Sequence, residues 1–189
     1  MTQKGFTLLE MVTVLAIFGV MTAIVVFNYG KFTSETILTN MAYEIALSIR
    51  ESQIYGVSVR NPDGTLGTNS FSVPYGTYFQ SGTNMYYLFS DNNSDGVFNS
   101  VNCVTSAECV TPYTLQRGVT ITNVRKNCTA DTNGLNVTFK RPNPEARFDN
   151  ATNISSADIE LTAQDGAKRY VVVRNNGQIF VTNELPTCP

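Results

Sequence analysis

Apolar residues dominate the beginning of the chain. After a short leader, Met1–Gly5, the sequence is almost wholly apolar from Phe6 to Phe27, and Glu10 is the one charged residue in this run. A helix over the run would reach about 33 Å at 1.5 Å per residue. Because the hydrocarbon core of a bilayer is about 30 Å thick, the pattern predicts a membrane-spanning helix over residues 6–30.

A second pattern follows over residues 31–56. Apolar residues recur there at spacings of three and four, which places them on one face of a helix. These residues are Leu38, Met41, Ala42, Ile45 and Ile49. Gly56 is a typical residue for the end of such a helix. The two patterns together predict one long helix, with its first part in the membrane and its second part packed on a head domain.

From Val57 onward the sequence changes to short apolar runs between turn residues, a pattern that predicts β-strands. We expect strands near Val57–Arg60, Phe71–Val73, Met85–Phe89, Tyr113–Leu115, Val119–Val124, Leu135–Lys140, Asp158–Thr162, Tyr170–Arg174 and Gln178–Thr182. The last two flank Asn175–Gly177, a hairpin signal, whereas the polar stretch 143–156 is predicted to be a loop. The predicted fold class is α+β, with a long N-terminal helix packed on an antiparallel β-sheet head at residues 57–189.

Composition narrows the possible chemistry. The 189 residues include no histidine, and only 15% are charged. Histidine is the commonest general base, so serine and cysteine triads of the ordinary kind cannot be assembled from this chain. An enzyme would have to use carboxylates such as Glu108, Asp131 or Glu145, and the sequence does not place any two of these together. We therefore expect no enzymatic function.

Glu10 is an unusual residue for a helix that spans a bilayer. A carboxylate there costs on the order of 2.5–3.5 kcal/mol, and no other residue in the run is charged. A cleaved secretory signal would need a small-residue site after the apolar run, but the run ends VVFNYGKF. A plain membrane anchor fits the length and leaves Glu10 without a partner.

The residues Lys4–Glu10, KGFTLLE, resemble the prepilin peptidase site of type IV pilins and type II secretion pseudopilins. The resemblance implies cleavage between Gly5 and Phe6, which makes residues 1–5 a leader, and N-methylation of Phe6. It also implies that Glu10 meets the Phe6 amine of a neighbouring subunit, an ion pair that a low dielectric favours. Many pilins carry a proline partway along this helix, whereas this chain has none before Pro62.

The head shows a weaker resemblance, in pattern only. The transition from helix through Gly56 to strand, the run Tyr75–Phe79 and the closing hairpin with Gly177 are similar to the GspH/FimT family of minor pseudopilins. The implied function is structural, as a minor pilin or pseudopilin of a type IV pilus-like or type II secretion filament. The implied partners are other pilins, a prepilin peptidase, and an assembly ATPase with its membrane platform. The implied location is the bacterial cytoplasmic membrane and, after assembly, an extracytoplasmic filament.

A polar loop in the head has the spacing of a calcium loop. Oxygen-bearing side chains at Asp91, Asn93 and Asp95 precede Gly96, as in the first half of an EF-hand. The Val97 carbonyl and Asn99 would add ligands, and water or a distant carboxylate would have to complete the shell because Asn102 stands where the EF-hand has glutamate. The alternative is an ordinary Asp-Gly turn without metal. Calcium is therefore a candidate cofactor.

Four cysteines suit two disulfides in an exported domain. They are Cys103, Cys109, Cys128 and Cys188. Three pairings are possible in principle. We favour Cys103 with Cys109, which enclose only five residues, and Cys128 with Cys188.

A second functional class stays open on the sequence. A single-pass anchored protein that never polymerises would use its head to bind a ligand or DNA. Basic residues for a DNA-binding face are Arg117, Arg125, Lys126, Lys140, Arg141 and Arg147. Their spacing over several strands does not show that they converge, and the net charge of −2 gives no general attraction to a polyanion.

Overall fold

The computed structural model describes residues 5–58, 73–100, 103, 107–131 and 134–187. In these residues one long helix, α1, precedes ten strands in two five-stranded antiparallel sheets. The predicted α+β class is confirmed. The two sheets are joined by an isolated bridge between Thr83 and Ile121.

Helix α1 runs without interruption over Leu8–Val57. It continues through Gly19 and through residues 28–30, where the membrane and head-packing patterns meet. The absence of proline from this stretch removes the usual cause of a break. The two predicted helical segments are therefore one element, as expected.

The helix ends one residue beyond Gly56, and this corrects the predicted strand at Val57–Arg60. Val57 is the last helical residue, Ser58 caps the helix, and Arg60 lies outside the described residues. A side chain at Gly56 would collide with the backbone of Phe139, its Cβ lying 2.9 Å from the Phe139 carbonyl carbon. Gly56 thus permits the helix to approach the sheet closely and does not itself stop the helix.

The first sheet has the strand order β3-β2-β1-β6-β7. Its strands are β1 (Tyr75–Phe79), β2 (Met85–Ser90), β3 (Cys109–Thr114), β6 (Leu135–Phe139) and β7 (Ala146–Phe148).

The second sheet has the order β10-β9-β8-β4-β5. Its strands are β4 (Thr120–Lys126), β5 (Thr129–Asp131), β8 (Ser156–Thr162), β9 (Lys168–Arg174) and β10 (Ile179–Thr182). The closing hairpin β9–β10 turns at Gly177, whose φ of +83° suits glycine.

The core lies between α1 and the inner faces of both sheets. The helix contacts strands of each sheet. Leu38, Ala42, Ile45 and Ile49 are fully buried, and Met41 packs against the same cluster as a partly buried residue. The amphipathic stripe predicted from the sequence is therefore confirmed as the head-packing face of α1.

Three short or tightly packed strands were missed by the sequence patterns, namely β1, β5 and β7. Strand β7 lies inside the stretch 143–156 that was predicted to be a loop. The prediction near Phe71–Val73 is wrong for Val73, which is not in a strand, while residues 71 and 72 lie outside the described residues. Likewise, Leu115 follows β3 and does not belong to it.

Candidate functional site

The N-terminal end of α1 combines a capped helix with a free carboxylate. Thr7 is the N-cap, and its hydroxyl oxygen accepts a hydrogen bond from the Glu10 backbone N–H at 3.3 Å. Threonine at the cap and glutamate three residues later is the capping-box pattern, in which the glutamate would fold back onto the cap. Within the described part of the chain, however, the Glu10 carboxylate has no hydrogen-bond or ion-pair partner. It is free to meet a group from outside the chain.

An exposed apolar surface follows directly. The helix is long and apolar enough to span a membrane over Leu8–Phe27, and none of that segment is buried by the rest of the chain. Phe6, Leu8 and Phe27 are 75%, 83% and 85% exposed. An apolar surface of this extent is not stable in water, so lipid or other helices must cover it.

The apolar surface extends beyond the membrane segment. On the side of α1 that faces away from the head core, Tyr43, Leu47 and Ile54 are exposed by 56%, 69% and 57%. Their spacing of four and seven residues keeps them on one side of the helix. The same helix therefore offers apolar contacts along most of its length.

The fold does not require glycine at position 5. A side chain there would have no other atom within 4 Å, and both Gly5 and Phe6 precede the helix in an exposed position. The peptide bond between them is open to an enzyme. A glycine without a structural reason is consistent with selection by a processing protease.

Comparison with protein families decides the class of this segment. Residues 1–26 match the family model described as the prokaryotic N-terminal methylation motif. This N-terminal segment is type IV pilin-like. A search of curated proteins and a search of solved structures each gave no match. The likeness to type IV pilins thus rests on the N-terminal helix, which is also long and apolar enough to anchor the chain in a membrane.

The polar loop after β2 is organised around Asp91, which is buried. Its Oδ1 accepts the Asp95 N–H at 3.1 Å and its Oδ2 accepts the Gly96 N–H at 2.9 Å. Burial raises the pKa of Asp91, and the hydrogen bond from Gly96 opposes that rise. Gly96 has a φ of +78°, and a side chain there would collide with Asn150. The loop is thus closed by its own first carboxylate.

The other predicted ligands lie in the same loop. Asp95 Oδ2 accepts from the side-chain amides of Asn93 and Asn99 at 2.9 and 2.7 Å, and Asp95 Oδ1 accepts the Val97 N–H at 2.9 Å. The hydrogen bond from Asn99 in particular lowers the pKa of Asp95. Among the described residues no group of three acidic or cysteine side chains is arranged to hold a metal. Calcium therefore stays a prediction.

Two contacts of this loop were not evident from the sequence. The buried Glu108 carboxylate accepts the Asn99 N–H at 3.2 Å, which brings a distant carboxylate to the loop. Phe98 inserts beside Phe89, Tyr87 and Tyr78, with ring centroids 5.4, 5.3 and 5.6 Å away. The only sequence signal was an apolar residue in the middle of a polar loop. Phe98 anchors the loop to the outer face of the first sheet.

The predicted local disulfide is confirmed. Cys103 and Cys109 are joined, with their Cα atoms 5.2 Å apart. Cys128 is also disulfide-bonded. Its predicted partner, Cys188, lies outside the described residues.

Two of the six basic residues are held by carboxylates of the head. Arg125 pairs with Asp158 at 2.6 Å, and Lys126 pairs with Asp131 and Asp149. Burial alone would lower the pKa of Lys126, but the hydrogen bonds to the two carboxylates outweigh it and the pKa is raised. Arg117 lies beside α1, whereas Arg147 is on β7, and Lys140 and Arg141 follow β6. The basic residues thus lie on several elements, and DNA binding stays an untested alternative.

The carboxylates considered for catalysis are also separated by their roles. Glu108 accepts from the acidic loop, Asp131 pairs with Lys126, and Glu145 is exposed beside β7.

Proposed function

We propose that this protein is a minor pilin or pseudopilin, a structural subunit of a type IV pilus-like or type II secretion filament. The observation that carries the proposal is the wholly exposed apolar segment Leu8–Phe27, which begins with the N-terminal methylation motif. A bilayer covers this segment before assembly. In a filament, the equivalent helices of neighbouring subunits cover it instead.

Glu10 favours assembly over permanent anchoring. Its carboxylate has no partner among the described residues, and it lies four residues after Phe6 in the sequence. Cleavage after Gly5 would create a new amine at Phe6. Pairing of that amine with Glu10 of a neighbouring subunit removes two unpaired charges from an apolar environment and fixes the register of the two helices.

The exposed residues Tyr43, Leu47 and Ile54 support packing along the whole helix. The head covers one face of α1 and leaves these three apolar side chains exposed on the opposite face. A protein that only anchors a soluble head to the membrane has no need of an apolar face outside the bilayer. Neighbouring subunits in a filament would bury this face, while the β-sheets decorate the filament surface.

The partners follow from this role. A prepilin peptidase would cleave and methylate the precursor, and an assembly ATPase acting through a membrane platform protein would extract it into the filament. The long sheet domain with its acidic loop and disulfides suits a minor subunit with a specialised head. The second candidate, an anchored binding protein that does not polymerise, becomes an outcome of the test.

The test is mass spectrometry of the full chain from native membranes and from sheared filaments. We expect a mature chain that begins at Phe6 and carries one N-terminal methyl group. The Glu10→Gln variant should be processed normally but depleted from the filament fraction. Glu35→Gln, which changes an exposed glutamate of the same helix, is the matched control and should enter filaments like the wild type. A chain that keeps its leader in membranes would overturn the proposal and leave the anchored binding protein.

A further inference from the structure

A cleft lies between the second sheet and the C-terminal segment. The inner face of β8 contributes Ala157, Ile159 and Leu161 to the core, so Asp158 lies on the opposite, outer face. Residues 184–187 lie over this face, and the Cys128 Sγ contacts the Pro186 carbonyl oxygen at 3.8 Å. The enclosed space has a volume of about 310 Å³. That volume is at the lower end of the range for small-molecule sites, roughly 300–1,000 Å³.

The cleft is lined by two carboxylates, Asp158 on the sheet and Glu184 in the C-terminal segment, and by apolar side chains. Asp158, Val172 and Phe180 are direct cross-strand neighbours on β8, β9 and β10. Leu185 and Pro186 close the opposite side. A ligand in the cleft would therefore contact apolar surface both below and above.

The Asp158 carboxylate has one oxygen to spare. The residue is 4% exposed. Arg125 reaches Asp158 Oδ2 through Nε at 2.8 Å and Nη2 at 2.6 Å, and no partner is present for Oδ1 in the described part of the chain. Burial raises the pKa of Asp158 even though Arg125 opposes this rise. A carboxylate oxygen without a donor, in a residue this little exposed, favours a cationic ligand group.

Arg174 supplies the opposite charge at the mouth of the cleft. Its guanidinium lies 5.4 Å above the Phe180 ring, and its Nη1 donates to the Gln178 side-chain oxygen at 3.3 Å. Among the described residues no carboxylate pairs with Arg174. It is exposed, and it is held by one amide and one ring. Its remaining N–H donors are available for a carboxylate.

We propose that this cleft binds a free α-amino acid with an apolar side chain. The ligand ammonium would donate to Asp158 Oδ1, the ligand carboxylate would accept from Arg174, and the side chain would pack between Val172 and Leu185. Asp158 and Arg174 are diagonal neighbours on adjacent strands, with their Cα atoms about 7–8 Å apart. Both residues line the same cleft, so one small ligand can contact both charges.

This assignment goes beyond a structural role in a filament. It gives the head a recognition function that is independent of α1, because every residue of the cleft belongs to the second sheet, to the β4–β5 turn or to the C-terminal segment. A filament subunit with such a site would report or capture a small metabolite at the cell surface.

The test is calorimetric titration of the full chain in lipid nanodiscs with three probes of one shape. L-Leucine carries both charges, L-leucinamide lacks the carboxylate and 4-methylpentanoate lacks the ammonium. We expect L-leucine to bind and each single-charge probe to bind at least roughly tenfold more weakly, the usual effect of losing one charge-assisted hydrogen bond. The Arg174→Gln variant should weaken L-leucine by about the same factor and leave L-leucinamide unchanged. Arg147→Gln, an exposed arginine outside the cleft, is the matched control.

Three outcomes would overturn the proposal. The first is no binding of L-leucine to the wild-type chain at 10 mM, roughly tenfold above the weakest useful affinity for such a site. The second is binding of L-leucinamide as tight as that of L-leucine, which would identify the N-terminus of a peptide as the ligand instead. The third is wild-type binding of L-leucine by Arg174→Gln, which would remove the carboxylate contact. None of these outcomes bears on processing or on filament assembly.

Discussion

The two halves of α1 have the same secondary structure and opposite surroundings. Over Leu8–Phe27 no part of the helix is buried, whereas Leu38, Ala42, Ile45 and Ile49 in the second half are 0% exposed. The first half is apolar on all sides, and the second is apolar on the head-facing side with only isolated apolar residues opposite. The second half therefore forms part of the hydrophobic core of the head. The first half remains exposed and has to be covered by lipid or by another protein chain.

The sharpest test of this difference uses two apolar residues of the same helix. Ile45→Ala should lower the free energy of unfolding of the head by about 2–5 kcal/mol, because it leaves a cavity in the core. Leu47→Ala should change it by less than about 0.5 kcal/mol, because Leu47 is 69% exposed. Denaturant unfolding in detergent, followed by near-ultraviolet circular dichroism of the tyrosines, measures both. Leu47→Ala should instead reduce incorporation into filaments more than Ile45→Ala does. Equal destabilisation of the head by the two variants would contradict the comparison.

The two disulfides are expected to contribute unequally to the stability of the head. In the chain-entropy model the closed loop at Cys103–Cys109 is worth about 2 kcal/mol, and the longer loop of the predicted Cys128–Cys188 pair about 4 kcal/mol. Cys128→Ser should therefore destabilise the head more than Cys103→Ser. Thermal unfolding under oxidising conditions gives the comparison. Mapping of unreduced peptides provides the control, since a peptide joining Cys128 to any residue other than Cys188 would show the prediction to be wrong.

Calcium binding is expected to have a smaller effect on the stability of the head. If the loop Asp91–Asn99 binds calcium with the affinity of extracellular sites, 10 mM calcium should stabilise the head by about 1–3 kcal/mol. The near-ultraviolet circular dichroism signal of Tyr78 and Tyr87 should change, because Phe98 connects the loop to these rings. Asp95→Ala should abolish both effects, whereas Asp165→Ala, which changes an exposed turn residue, should not. An unchanged melting temperature in calcium would leave the loop as a metal-free turn.

The smallest expected effect concerns pH and the outer face of the second sheet. Burial would raise the pKa of Glu160, but the hydrogen bonds from Lys168 and Asn123 outweigh it, and the pKa is lowered from 4.5. An acid with a lowered folded-state pKa adds stability above its ordinary pKa and loses it as the pH falls through the folded value. Lys168→Met should therefore reduce stability at pH 7, and the difference from the wild type should shrink as the pH falls below 4.5 and vanish below the folded-state pKa of Glu160. A constant difference from pH 7 to pH 3 would assign the effect to packing.

The sequence predicted α1 well because its signals are local. The apolar run to Phe27 and the stripe through Ile49 depend only on spacing along one helix. Strand β1 was missed because four of its five residues are buried, which removes the alternation of a half-exposed strand. It also contains Gly76, and a side chain there would collide with Val137 and Thr138 of β6. That constraint exists only after distant strands have paired.

The candidate sites also divide into those with local sequence signals and those formed by long-range contacts. The methylation motif is contiguous and was identified from Lys4–Glu10 alone. The contact of Glu108 with Asn99 and the pairing of Arg125 with Asp158 join residues that are far apart in sequence. No spacing rule predicts such contacts. The cleft beside Asp158 was invisible for the same reason, since its residues come from four separate stretches of the chain.

The unbroken course of α1 has a mechanical consequence. A helix of 50 residues is a stiff rod about 75 Å long, and its far end is fixed in the core of the head. Each one-residue change in how two such rods meet would raise the head by about 1.5 Å and turn it by about 100° around the rod axis. The contact at Glu10 would therefore determine the orientation of every head around the helix axis. In the proposed filament, a single carboxylate at one end of the rod would set the pattern of heads on the filament surface.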